Sequence, residues 1–232
     1  MERRLGNALA PQVQAGQPRR MAELTLSDLP PWAFQKEDPL PDAVFYEPAR
    51  LETHIDDKAI GALTEFYRAT LPAGSKILDL MSSWISHLPA EVAYAEVIGH
   101  GMNAEELAAN PRLTRWFLQD LNVAPALPLE DSSLDAAMIC VGVQYLQRPV
   151  EALRDVARVL KPGAPLVVSF SNRCFPTKAV AIWLRLNTSG HATLVELYLR
   201  TAGFVDVLTH VLRDGRTSDP MIAIVGRAPI SS

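Results

Sequence analysis

Three stretches of this 232-residue chain carry side chains that could do chemistry. In the first, residues 76–85 (KILDLMSSWI), an apolar run ends in Asp79 and gives way to hydroxyls at Ser82 and Ser83. An apolar strand that ends in an acid and feeds a turn is how many α/β proteins approach a nucleotide-bearing ligand. Glycines usually floor such a turn, because without Cβ atoms the backbone can touch the ligand. Here Met81, Ser83 and Ile85 stand where glycine is expected. In the second stretch, His54-Ile55-Asp56-Asp57, an imidazole sits beside two carboxylates. That set could serve as a general base or hold a metal, but Asp56 or Asp57 could equally cap a helix. One imidazole with adjacent acids is not a ligand set, and no metal is expected. The third stretch, residues 171–178, brings Arg173, Cys174, Thr177 and Lys178 together behind an apolar run. Its cations could hold a carboxylate or phosphate, Thr177 could cap a following helix, and Cys174 has no histidine beside it in sequence to activate it. Tyr145, after another apolar run, could orient a substrate, accept a proton or simply pack. Trp84 could stack on a flat ring or fill the space that glycines would leave empty, and His87 reads as structural.

The elements that must position these groups follow from periodicity and punctuation. Ile60, Leu63, Phe66 and Tyr67 recur at helical spacing behind the Asp56-Asp57 cap, and Leu71-Pro72-Ala73-Gly74 stops that helix. Strands are expected over 76–80, 94–99, 117–119, 134–141 and 165–170, and helices over 84–93 (interrupted at Pro89), 103–109, 150–160, 177–186 and 193–201, the last closing at Gly203. Residues 204–211 and 221–225 read as an antiparallel edge pair. Strands alternating with helices imply an α/β doubly wound, mostly parallel seven-stranded sheet that binds ligands at the carboxyl ends of its strands.

Composition narrows the function. The net charge is −4 with no basic face, which argues against a nucleic-acid partner, and no run approaches the ~20 apolar residues needed to cross a bilayer. Two cysteines make no disulfide framework, so a cytoplasmic location is expected. Residues 1–28 read as a disordered tail, 29–50 as an extended arm rich in proline and aromatics (Trp32, Phe34, Phe45, Tyr46) lying on the surface or near a cleft, and 51–232 as the domain.

The order of elements, with Ile77-Leu78-Asp79-Leu80 first, resembles the class I S-adenosylmethionine-dependent methyltransferases (type 11-like). Residues 127–135 (LPLEDSSLD) resemble that family's stretch before its fourth strand, and residues 158–163 (RVLKPG) its turn before the fifth. The chain also resembles, more narrowly, a methyltransferase-like group of bacteria and plants, through residues 54–57, 78–89 and 169–179. In that group the glycine-poor turn is a shared character. The resemblance implies a Rossmann-like methyltransferase fold, S-adenosylmethionine as cofactor and a small-molecule substrate. It further implies a cofactor cleft lined by Asp79, Met81, Ser82, Ser83, Met102, Asn103, Asp120 and Leu121, with Tyr145, His54 and Arg173 acting on the substrate. Asp120 falls where the family meets the adenine amino group. The acid that holds the ribose hydroxyls in the family maps onto Gly101. Two other readings stay open on the sequence: a different reaction on the same fold with another nucleotide, and a non-catalytic protein whose filled cleft binds a partner.

Overall fold

The computed structural model describes residues 25–230, so most of the expected tail lies outside the described residues; its last part forms a single 3-10 turn over Leu26–Asp28. Seven strands form one sheet: β1 (Lys76–Leu80), β2 (Glu96–Gly101), β3 (Arg115–Leu118), β4 (Ala136–Cys140), β5 (Pro165–Phe170), β6 (Val205–Arg213) and β7 (Met221–Arg227). Their order is β3-β2-β1-β4-β5-β7-β6. The first five are parallel, β7 runs antiparallel to β5, and β6 antiparallel to β7. Strand order reverses between β1 and β4, where such sheets open a crevice at their carboxyl ends.

Alternation along β1 divides the core. Leu78 and Leu80 face helices α4 (Pro149–Val159) and α5 (Thr188–Ala202), packing with Leu153, Val156, Val195 and Leu199. Ile77 faces the other way, toward Leu63 and Tyr67 of helix α2 (Asp57–Thr70). Local signals set the helix ends. Asp56 accepts the Ala59 amide at 2.9 Å as the α2 cap, Pro149 opens α4, and Gly203 ends α5 at φ 102°, a left-handed conformation that suits glycine.

Two expected helices are absent. Residues 81–95 carry no regular structure: Met81 and His87 adopt φ of 58° and 54°, Pro89 lacks an amide donor, and Leu88 is buried on the α2 face. Residues 177–186 give their amides to the arm instead of to a helix of their own. Ala181 donates to the Gln35 carbonyl and Ile182 to that of Ala33, Lys36 bridges Val180, and only Trp183–Arg185 form a 3-10 turn. Thr177 caps nothing; its carbonyl accepts the Asp38 amide.

The arm is not wholly extended. Helix α1 (Asp42–Tyr46) interrupts it, and the fully buried Lys178 fastens it by donating to the Leu40 carbonyl at 2.7 Å and pairing with Asp38 at 3.0 Å and Asp42 at 3.4 Å. Lys178 therefore lies under the arm and is spent on it, not offered to a ligand. The remaining boundaries shift by a few residues: β2 starts two later than expected, and α3 (Ala104–Ala109) begins after Asn103, which is its cap. Among the described residues, no helix is long and apolar enough to cross a membrane.

Candidate functional site

A cleft of about 300 Å³ opens at the carboxyl ends of β1, β2 and β4, roofed by the arm. The structure brings to its walls every residue that the resemblance assigned to cofactor or substrate: Asp79, Met81, Ser82 and Ser83 from β1 and its turn, Met102 and Asn103 after β2, Asp120 and Leu121 after β3, and Tyr145, His54 and Arg173 from the far side, whereas Asp56, Asp57, Thr177 and Lys178 lie outside it. Met81, Trp84 and Ile85 are half-buried in its wall and leave it open.

Asp79 is the deepest acid, 2 % exposed. Its Oδ2 accepts from Ser82 Oγ at 2.6 Å and Ser86 Oγ at 2.5 Å, yet burial outweighs both bonds and pushes the carboxyl up to about 7. The glycine-poor turn takes an unusual course. Ser82 donates its amide to the His100 carbonyl at 2.7 Å, which draws the chain across the end of β2. His100 supports it from below: Nδ1 accepts the Met81 amide at 3.1 Å, so Nε2 carries the proton and donates to the Gln119 carbonyl at 3.0 Å. Burial holds this imidazole down to about 4, neutral at physiological pH.

Several polar groups at this end are already occupied. Asn103 caps α3 through Oδ1 on the Glu106 amide and donates Nδ2 to the Tyr46 and Glu47 carbonyls, tying the arm to β2. Ser83 Oγ donates to Glu106 Oε2 at 2.7 Å. Asp120 Oδ1 accepts the Asn122 amide at 2.9 Å, while Asn122 Nδ2 donates to the Tyr145 carbonyl and to Asp42.

The opposite end is ringed by aromatics. Tyr145 Oη accepts the Phe175 amide at 2.9 Å, and burial raises the phenol to about 12, so it faces the cleft as a neutral donor and not as a base. His54 meets the Phe175 ring edge-on at 5.2 Å between centroids. The Arg173 guanidinium is held by Asp219, which is joined through its backbone and side chain to Asp56. Trp84 donates Nε1–H to the Glu52 carbonyl and serves as a wall residue. His87 also lines the cleft, with Nδ1 unpaired and the ring held down to about 4 by burial. Burial raises the Cys174 thiol, against a role as nucleophile.

Among the lining residues that escaped the sequence reading are Glu106, Arg50 and His100. Glu106 had a signal. Asn103, Glu106, Leu107 and Asn110 follow the i, i+3, i+4, i+7 stripe of an inward helix face, and the last three are buried. Arg50 sits over the Phe45 and Phe175 rings at 4.5 and 5.3 Å, a placement set by the arm's path and invisible in local pattern. Among the described residues, no three His, Cys, Asp or Glu side chains cluster as a metal site would require.

The fit to a cofactor can be judged from the donors and acceptors present. Five acidic residues line the cleft, Asp42, Glu52, Asp79, Glu106 and Asp120, against two arginines, Arg50 and Arg173, of which Arg173 is paired with Asp219. No helix follows β1 to aim its amides at a phosphate. Such a cleft suits a cationic nucleoside, as a sulfonium-bearing adenosine is, better than a polyphosphate nucleotide.

Comparisons with known proteins agree with this geometry. A family model described as a methyltransferase domain matches residues 81–168. The ubiquinone/menaquinone biosynthesis C-methyltransferase UbiE of Roseobacter denitrificans is 38 % identical over 108 residues, covering 41 % of this chain and 42 % of that protein. The demethylmenaquinone methyltransferase of Paenarthrobacter aurescens is 30 % identical over 116 residues, covering 50 % and 44 %. The match thus spans less than half the length of these curated relatives. Among solved structures, a complex between the Haloferax volcanii Trm112 methyltransferase activator and a methyltransferase aligns with TM-score 0.58 at 16 % identity, covering 76 % of this chain and 92 % of that one. The [4+2]-cyclase SpnF aligns with TM-score 0.55 at 18 % identity, covering 79 % and 90 %; at these identities the likeness is one of fold. With its seven-stranded order, its crevice at the β1/β4 switch and these matches, the chain has the Rossmann-like fold of the class I S-adenosylmethionine-dependent methyltransferases and carries a methyltransferase-domain match over residues 81–168.

Proposed function

We propose that this protein transfers a methyl group from S-adenosylmethionine to a flat, largely apolar small molecule of the hydroquinone or phenol type. The observation that carries this reading is one cleft lined both by acids, Asp79, Glu106 and Asp120, and by a cluster of rings in which His54 and Tyr145 pack on Phe175. The curated relatives add support, since their names place them in ubiquinone and menaquinone biosynthesis.

The bound cofactor supplies an electrophilic methyl on a sulfonium. Positioning accounts for much of the rate in such a transfer, because bringing two reactants into line offsets a large entropic cost. Asp120 and Leu121 would receive the adenine, and Asp79 would offer its carboxyl group to the cationic part of the cofactor. Tyr145, fixed by the Phe175 amide, offers a hydrogen bond from its neutral hydroxyl to an oxygen of the acceptor, while the rings of Phe175 and Trp84 exclude water from the acceptor face. His54 takes up the proton released when the acceptor becomes nucleophilic. Arg173 serves as a positioning residue: through Asp219 and Asp56 it anchors the segment that carries His54.

Calorimetric titration with S-adenosylmethionine and S-adenosylhomocysteine tests the reading. Micromolar binding weakened about tenfold by Asp120→Ala is expected. Absence of heat from folded protein with either ligand would overturn it.

A further inference from the structure

The sequence resemblance implies an acid at the end of β2 for the ribose hydroxyls, and this chain has Gly101 there. A side chain at that position would collide with the turn after β1. A Cβ on Gly101 would lie 2.7 Å from the Ser82 carbonyl oxygen, a backbone atom fixed by the Ser82 amide bond to His100. The turn after β1 occupies the space from which the acid would project.

Resting on the methyl-transfer reading, we propose that Glu106 has taken over this task and holds the vicinal hydroxyls of the nucleoside. Glu106 stands on the inward face of α3, only 9 % exposed, and its carboxylate lines the cleft. Two donors fix it from opposite sides: the Arg50 amide on Oε1 at 2.7 Å and Ser83 Oγ on Oε2 at 2.7 Å. Among the described residues, no cation pairs with it. A carboxylate accepts about four hydrogen bonds, so each oxygen retains one free lone-pair direction. Two adjacent hydroxyl donors match two adjacent acceptor oxygens, and a nearly buried, uncompensated carboxylate gains most from such donors. The neighbouring polar groups cannot serve instead, since Asn103 is spent on the cap and the arm and Ser82 on Asp79. Arm and turn thus converge on one acid, so recognition of the diol would be coupled to closure of the roof.

The test compares wild type with Glu106→Gln in the full chain, titrated with adenosine, 2′,3′-dideoxyadenosine and S-adenosylhomocysteine. Wild type is expected to prefer adenosine to the dideoxy compound by about ten- to a hundredfold, the worth of charge-assisted hydrogen bonds. Glu106→Gln is expected to lose that preference and to bind S-adenosylhomocysteine more weakly by a similar factor. If Glu106→Gln does not fold by its thermal melt, Glu106→Asp withdraws the carboxylate by one methylene and should also reduce the preference. A preference that survives the substitution overturns the inference, as does its absence in wild type. Should adenosine bind through Glu106 while S-adenosylhomocysteine does not bind, the diol site stands and the methyl-transfer reading falls.

Discussion

Replacing Lys178 with methionine tests how the arm that roofs the cleft is held. The ammonium is fully buried, donates to the Leu40 carbonyl, pairs with Asp38 and Asp42, and lies 5.6 Å from the Phe45 ring centroid. Methionine keeps the volume of the aliphatic stem and removes the charge, so the effect is electrostatic and not a cavity. Breaking a buried ion pair by deleting one partner costs about 3–5 kcal/mol. Here the carboxylates are not stripped bare. Asp42 retains Lys36 and the Asn122 amide, and Asp38 retains the Leu40 amide and partial contact with water. The cost should therefore fall near the lower bound, about 3 kcal/mol. For a chain of this size that corresponds to a loss of about 6–12 °C in Tm, with an unchanged urea m-value. Limited proteolysis read by mass spectrometry should show new cleavage in residues 36–46. A variant melting within about 2 °C of wild type, with an arm no more open to protease, would refute the assignment of Lys178 as the anchor.

Two further outcomes follow from the cleft floor. Because burial lifts Asp79 to about 7, between pH 4 and 7 the native state keeps a proton that the unfolded chain has released, and stability falls as pH rises through that window. Asp79→Asn removes this dependence, so its stability relative to wild type should grow by up to about 4 kcal/mol from pH 4 to pH 8 in urea titrations; the same difference at both pH values would sink the idea. His100 acts in the opposite sense. It stays neutral down to about 4 when folded, its contribution is lost as pH falls from 6.5 toward 4, and Asp79→Asn should leave this acid-side decline more visible. Gly101→Ala sets a Cβ against the Ser82 carbonyl, so a loss of about 1–3 kcal/mol in unfolding free energy, read by urea titration, is expected, and a neutral result would mean the turn can move aside.

Much of this architecture was legible because it rests on local signals. β5 has the expected ends, set by the 161–163 turn before it, and α5 stops at Gly203 as a left-handed glycine demands. The cleft-facing positions were legible because they lie at the ends of parallel strands, where topology alone gathers them. What stayed hidden depended on competition between distant segments. Residues 177–186 have helical periodicity, but the arm claims their amides, and no pattern within ten residues reports that. The stretch 84–93 reads as a helix by its apolar spacing, while its positive-φ His87 and its cleft-wall duty decide otherwise. Glu106 was hidden by its ordinariness: an acid in the first turn of a helix is so common that only its inward phase marked it.

The unstructured connection from β1 to β2 has a consequence for how this protein can vary. One short segment serves as cleft wall through Ser82, Ser83, Trp84 and Ile85, and as sheet cover through Leu88, which packs on the α2 face. In folds where a helix follows the first strand, ligand contacts sit in the turn and hydrophobic cover sits in the helix, so each can drift without the other. Here the two demands fall on the same backbone. A substitution that reshapes the ligand end also tugs at the hydrophobic seal, which leaves few paths by which this turn could change gradually.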